Sequence, residues 1–309
     1  MTMIDGLFFV GHVSIDEVQN MNGSNLQPGG AALYAAIAAK TLLDNVYLIS
    51  VIGKDYPFLG VLDIFSRRFI KISSGSSTRF SIKYNERWEA KYLEAKYGSG
   101  LKISPLLIPV ESLSPESIVH ISPLSPLRVK RIVEGIREKR PEVKISVNTW
   151  IGYIKGRNKD ILRNIASEID FFILNDSEAK ALTNAKSLAT ALKVLEAKTL
   201  IVTLGDLGAI ISRNSDIQVV PALRIPVEKI IDTTGAGDTW CGSFLAAYKQ
   251  TNNLMKAVIA ASIISSIKCT GWGFSKLLNL KFRSVDELIN YVIGLKEGGM
   301  QKEITEYIK

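Results

Sequence analysis

Asp232-Thr233-Thr234-Gly235-Ala236-Gly237-Asp238 decides how this chain is read. It follows the apolar pair Ile230-Ile231 and leads into an apolar helical pattern, Thr239–Lys249. Gly235 and Gly237 let the backbone turn tightly and bring N–H groups close to a ligand. The helix points its N-terminus at the same place, so the loop suits a phosphate. Asp238 has two readings. Aspartate caps helices well, and a cap needs only one such residue. Two glycines and a second carboxylate at the head of the loop ask for more. A carboxylate beside an anion hole suits a general base that takes the proton of an attacking hydroxyl. Asp232 then suits a bound cation or the ordering of the loop. No GxxxxGK[ST] phosphate loop occurs in the chain.

Outward from that loop, short apolar runs alternate with helical patterns. Leu7–Gly11, Val46–Ile52, Ile118–Ser122, Lys144–Asn148 and Phe171–Asn175 read as strands. Ala31–Leu43, Leu127–Arg140, Asp160–Ile169 and Ser177–Leu182 read as helices. This alternation predicts an α/β fold, a doubly wound and mostly parallel sheet with helices on both faces. Thr199–Leu204 and Ala209–Arg213, joined across Gly205-Asp206-Leu207-Gly208, read instead as a hairpin at an antiparallel edge. Two segments break the rhythm. Residues 13–27 are extended and polar, and residues 76–97 are polar, aromatic and partly alternating. Together they predict a small β-flap, a lid, over one end of a single domain spanning 1–309.

Composition removes several function classes. Hydrophobic residues make up 47% of the 309-residue chain and charged residues 22%, as in ordinary globular proteins. The formal net charge is +8. The basic residues of Arg128–Arg140 are interrupted by Glu and apolar residues at helical spacing, without interleaved aromatics. That pattern is a solvated helix face rather than a nucleic-acid site. Cys241 and Cys269 are the only cysteines and His12 and His120 the only histidines. A disulfide framework, a zinc site or a histidine triad is therefore not expected. No run approaches the roughly 18 apolar residues of a membrane span. With no signal-peptide pattern either, the cytoplasm is the expected compartment.

The loop resembles the C-terminal signature of the ribokinase-like carbohydrate kinases, the PfkB family, and the resemblance extends over nearly the whole chain. Val10-Gly11-His12-Val13-Ser14-Ile15-Asp16 is similar to the family's first strand and its acidic residue, which holds substrate hydroxyls. A carboxylate can accept from two adjacent hydroxyls at once. Pro28-Gly29-Gly30-Ala31-Ala32 resembles the Gly-Gly substrate motif. The Asn that many sugar kinases place shortly after it is missing, which argues against ribose or fructose. Asn175-Asp176-Ser177-Glu178 resembles the Asn-x-x-Glu motif linked to magnesium and phosphate, and hard cations want such oxygen ligands. Thr203-Leu204-Gly205-Asp206-Leu207-Gly208 resembles the nucleotide-side turn. Cys269-Thr270-Gly271-Trp272-Gly273 matches the helix end that flanks adenine, where Trp272 either stacks or belongs to the core. After Lys144–Val147, relatives often carry an acidic residue and then Asn or Gln. Here only Asn148 of that pair is present, a candidate for the substrate side.

The resemblance implies an ATP- and Mg²⁺-dependent kinase, with a monovalent cation such as K⁺ left open. Asp238 is the expected base, and Gly235, Ala236 and Gly237 the expected anion hole. Asp16, Gly29, Gly30 and Asn148 would hold the acceptor, and Asn175, Thr203, Gly205, Gly208, Asp232 and Gly271 the nucleotide. Glu178 and Asn175 would serve the metal. The start of the glycine motif and Ser77-Thr78-Arg79-Phe80 resemble the inositol-kinase-like branch, so a polyol, sugar or cyclitol such as myo-inositol is the expected acceptor. A nucleoside is the alternative, because Phe80, Trp88 and Tyr92 suit stacking on a base. A non-catalytic binding protein on the same fold is the alternative of another class. The expected partners are therefore small molecules, with no nucleic acid and no membrane; a homodimer through flap strands is left open.

Overall fold

The computed structural model describes residues 3–214, 216–223 and 225–297. In chain order the strands are β1 (Leu7–Val10), β2 (Ser14–Asn20), β3 (Gly23–Gly29), β4 (Val46–Gly53), β5 (Ile70–Ser73), β6 (Thr78–Tyr84), β7 (Ala90–Lys96), β8 (Ile118–Ile121), β9 (Lys144–Asn148), β10 (Phe171–Asn175), β11 (Leu200–Thr203), β12 (Ala209–Arg213) and β13 (Asp216–Val220). The α-helices are α1 (Ala31–Lys40), α2 (Pro126–Lys139), α3 (Asn158–Glu168), α4 (Asp176–Thr183), α5 (Leu188–Val194), α6 (Ala236–Thr251), α7 (Leu254–Cys269) and α8 (Val285–Glu297).

Nine strands form one sheet in the order β13-β12-β11-β10-β9-β8-β1-β4-β5. From β11 to β5 every neighbouring pair is parallel, and β12 and β13 add the antiparallel edge. The pleat explains why the strands read as unbroken apolar runs. Leu7 and Phe9 of β1 point into a core shared with α1, α6, α7 and α8. Phe8 and Val10 point the other way, into a core shared with α2, α3, α4 and α5. Phe171 and Ile173 of β10 divide from Phe172 and Leu174 in the same manner. A strand covered on both faces is mostly apolar, and the buried polar exceptions Ser50, His120 and Ser146 find hydrogen-bond partners inside. Phe172 has no exposed surface, and truncation to Ala should cost about 3–5 kcal/mol.

Parallel order places the ends of the strands together. Asn148, Asn175 and Thr203 close β9, β10 and β11 at their carboxyl ends, where ligands of open α/β sheets bind. The remaining strands form the second sheet, in the order β3-β2-β6-β7. It joins the two segments read as the flap, with β2 parallel to β6 and hairpins on either side. Among the described residues no helix is long and apolar enough to cross a membrane.

Candidate active site

A cavity of about 360 Å³ opens between the carboxyl ends of the large sheet and the inner face of the small one. It brings together Asp16, Gly30, Asn148, Asn175, Glu178, Thr203 and the stretch Gly235–Asp238. These residues are dispersed through the sequence, and the topology makes them neighbours.

The floor is the start of α6. Its N-cap is Gly235 at φ 72°, and no side chain caps the helix, so Asp238 is not the cap. A Cβ at Gly235 would lie 2.4 Å from the Tyr34 ring, so both the left-handed turn and the close approach require glycine. Among the described residues, no protein group takes the N–H of Gly235, Gly237 or Asp238. These are the donors left over at a helix start. The expectation for Ala236 is corrected here. Its N–H donates to the Thr233 carbonyl at 3.1 Å, and the Asp238 N–H takes its place among the free donors.

The two aspartates of the loop do different work. Asp232 has no exposed surface and does not line the cavity, which removes it from direct contact with a nucleotide. Its Oδ1 accepts from the Thr234 N–H at 2.8 Å. Its Oδ2 accepts from the Gly273 N–H at 2.9 Å and Gln27 Nε2 at 3.2 Å. The Lys268 ammonium lies 2.6 Å from its carbonyl and 3.3 Å from Oδ2. Asp238 faces the cavity instead, and its Oδ1 accepts from Asn148 Nδ2 at 3.0 Å. Burial raises its carboxyl to about 6, against the opposing pull of that hydrogen bond. A carboxyl in that range is mostly ionised at neutral pH, and its carboxylate still accepts a proton well.

Asp16, on β2, is the second cavity carboxylate. Its Oδ1 accepts from Ser14 Oγ at 2.6 Å. A Cβ at Gly29 would lie 1.9 Å from its Oδ2, so Gly29 makes room for the carboxylate rather than touching a substrate. Gly30 does line the cavity. Burial pushes Asp16 up to about 7, with the nearby Asp232 and Asp238 charges adding to the rise.

Glu178 is the third. It belongs to a capping box at the start of α4, in which Glu178 Oε2 accepts from the Asn175 N–H and Asn175 Oδ1 accepts from the Glu178 N–H, both at 2.9 Å. Asn175, expected to serve the metal and the nucleotide, lines the cavity and holds Glu178 in place through this box. Burial raises Glu178 to about 7, and the Asp238 charge contributes. Among the described residues no group of three or more His, Cys, Asp or Glu forms a ready-made metal cage.

Thr203 lines the cavity, whereas Gly205, Gly208, Gly271 and Trp272 do not. Gly208 is bound up with the hairpin, where a Cβ would lie 2.0 Å from the Val220 carbonyl. Sequence reasoning did not find Gln27, Tyr34 or Lys268, which have no local motif. It found part of an aromatic wall. Tyr153, Trp150, Tyr92, Phe80 and Tyr97 form a chain of edge-to-face contacts with ring centroids 5.2–6.0 Å apart, and all five line the cavity. Trp88 packs on Tyr84 and does not line the cavity.

The sequence pattern of the pfkB family carbohydrate kinases matches residues 144–277. A cytidine kinase of Thermococcus kodakarensis is 32% identical, over 83% of this chain and 92% of that protein. The chain belongs to the pfkB carbohydrate kinase family. Its fold is that of the ribokinase-like proteins. A Burkholderia thailandensis nucleoside kinase, solved in complex with ADP-inosine, superposes with a TM-score of 0.77 at 18% identity, over 95% of this chain and 96% of that one. A ribokinase of Giardia lamblia superposes with a TM-score of 0.76 at 20% identity, over 94% and 99%. As a pfkB kinase the protein is a phosphotransferase that acts on a hydroxyl group.

Proposed function

We propose that the protein is an ATP-dependent nucleoside kinase, with Asp238 as its general base. The observation that carries the acceptor class is the aromatic wall from Tyr153 to Tyr97. Every carbon of myo-inositol bears a hydroxyl, and such a ring would leave polar groups unanswered against five aromatic rings. A nucleoside offers a flat apolar base to the wall and a pair of hydroxyls to Asp16. The similarity to a cytidine kinase supports the same reading.

In the proposed reaction Asp16 accepts hydrogen bonds from the ribose hydroxyl pair. Asn148 holds Asp238 beside the remaining, primary hydroxyl. Asp238 takes the hydroxyl proton as the new O–P bond forms and the bond from the γ-phosphorus to the leaving ADP oxygen breaks. The N–H groups of Gly235, Gly237 and Asp238 stabilise the charge on the transferring phosphoryl. The floor adds positioning, which supplies much of the acceleration in such reactions.

A magnesium ion fits this residue set. Glu178 is a cavity carboxylate raised to about 7 by burial, which binding of a cation would relieve. Mg²⁺ characteristically takes one or two carboxylates plus phosphate oxygens and water. Glu178, positioned by Asn175, would hold it, and it would supply positive charge to the β- and γ-phosphates.

Coupled ADP release with cytidine, adenosine, inosine, ribose, fructose and myo-inositol tests the reading. The highest kcat/KM is expected on a nucleoside. Turnover of myo-inositol or a free sugar with nucleosides inert would overturn it.

A further inference from the structure

The buried ammonium beneath the loop has no part in the chemistry described so far. Lys268, in the last turn of α7, has no exposed surface. Burying a lysine charge is unfavourable unless strong partners answer it. Its ammonium meets two oxygens of Asp232, the carbonyl at 2.6 Å and the carboxylate at 3.3 Å. It also stands 5.6 Å from the centre of the Tyr34 ring. The same ring packs against Gly235, the N-cap of the anion-hole helix. One cation thus braces the head of the loop through Asp232 and its glycine turn through Tyr34.

We infer that the Lys268 ammonium is a built-in cation of the phosphoryl-transfer site, so that this kinase works without a monovalent metal ion. The potassium left open by the sequence does not fit at Asp232. Oδ1 is engaged by Thr234 N–H, and Oδ2 by Gly273 N–H, Gln27 Nε2 and Lys268. The carbonyl is engaged by Lys268 as well. A second cation at that carboxylate would meet a like charge without water to screen it. Lys268 is a positioning residue: it touches no reacting atom and holds the loop in the shape that aims its N–H groups. The inference rests on the phosphotransferase activity of the chain and not on which acceptor it takes.

Two readouts test it on the intact protein. The first is the melting temperature of the unliganded protein in KCl and in tetramethylammonium chloride at equal ionic strength. The second is kcat in the same salts with the best acceptor. Wild type is expected to show the same melting temperature and kcat in both salts. A saturable rise in melting temperature with K⁺, the signature of a bound ion, or a K⁺ activation of about tenfold or more would overturn the inference. Lys268→Ala is expected to lose kcat about tenfold or more, with acceptor KM little changed. Methylammonium should restore part of that loss and tetramethylammonium should not. Wild-type kcat for Lys268→Ala in tetramethylammonium chloride would also sink it. If Lys268→Ala does not fold, the wild-type salt comparison decides alone. The melting readout needs no acceptor, so failure of the nucleoside reading and failure of this one are distinguishable.

Discussion

The floor and the roof of the cavity are built on opposite plans. On the floor, Asp232 is tied down by Thr234, Gly273, Gln27 and Lys268, while among the described residues the Asp238 side chain has Asn148 alone as its hydrogen-bond partner. On the roof, the sheet of β2, β3, β6 and β7, the rings of Phe80 and Tyr84 on β6 and Tyr92 on β7 line the cavity, and every residue of β7 is exposed. Under the proposed function the contrast separates two jobs. Phosphoryl transfer needs donors fixed before the substrate arrives, because preorganised dipoles avoid reorganisation during the reaction. Acceptor choice needs shape and stacking surface, which a small sheet at the edge of the fold can vary without disturbing the loop.

The largest expected effect lies on the floor. Asp238→Asn should lower kcat by about 10²–10⁴-fold, the usual contribution of a general base, with nucleotide affinity unchanged in equilibrium titration. Near-normal turnover would break the division. On the roof, at β2, Asp16→Asn should raise acceptor KM by about 10- to 100-fold, as expected for a lost hydrogen bond to a charged group, measured by steady-state kinetics. At the aromatic wall, where Trp150 follows β9 and packs on Tyr92 of β7, Trp150→Ala should lower kcat/KM for a nucleoside about tenfold, in line with base–aromatic stacking energies.

The smallest effect is on stability, and its sign follows from burial. Asp238 rises from 3.8 to about 6 in the folded protein, so the folded state binds its proton more tightly than the unfolded chain. Ionisation therefore destabilises the fold as pH climbs from about 4 through about 6. Asp238→Asn removes that penalty. Denaturant unfolding should show the variant more stable than wild type at pH 7.5, by on the order of 1–3 kcal/mol, with the difference vanishing near pH 4. Equal differences at both values would show that the carboxyl is not raised.

Local pattern made the strands legible. β9 and β10 match their sequence reading residue for residue, because each is a short, mostly buried run that ends on a polar Asn at the cavity. The sequence pattern starts α6 at Thr239, whereas the helix begins at Ala236, since glycines at a helix entry look like loop. β5 and β13 carry no strand signal in the sequence, because β13 is largely exposed and β5 is buried only at Ile70. Within the site, Asp16, Asn148, Glu178 and Asp238 were legible because each sits in a short motif. Gln27 and Lys268 were not, since their meaning comes from contacts with Asp232 across long stretches of chain. Both read as ordinary polar residues until the fold brings them to one carboxylate.

One ratio tests the division between floor and aromatic wall most directly: kcat/KM for the best nucleoside divided by kcat/KM for ribose, in wild type, Asp238→Asn and Trp150→Ala. The expected result is a ratio unchanged by Asp238→Asn, whose loss falls on both acceptors alike, and lowered by Trp150→Ala. A ratio that moves with Asp238→Asn and stays put with Trp150→Ala would contradict the account.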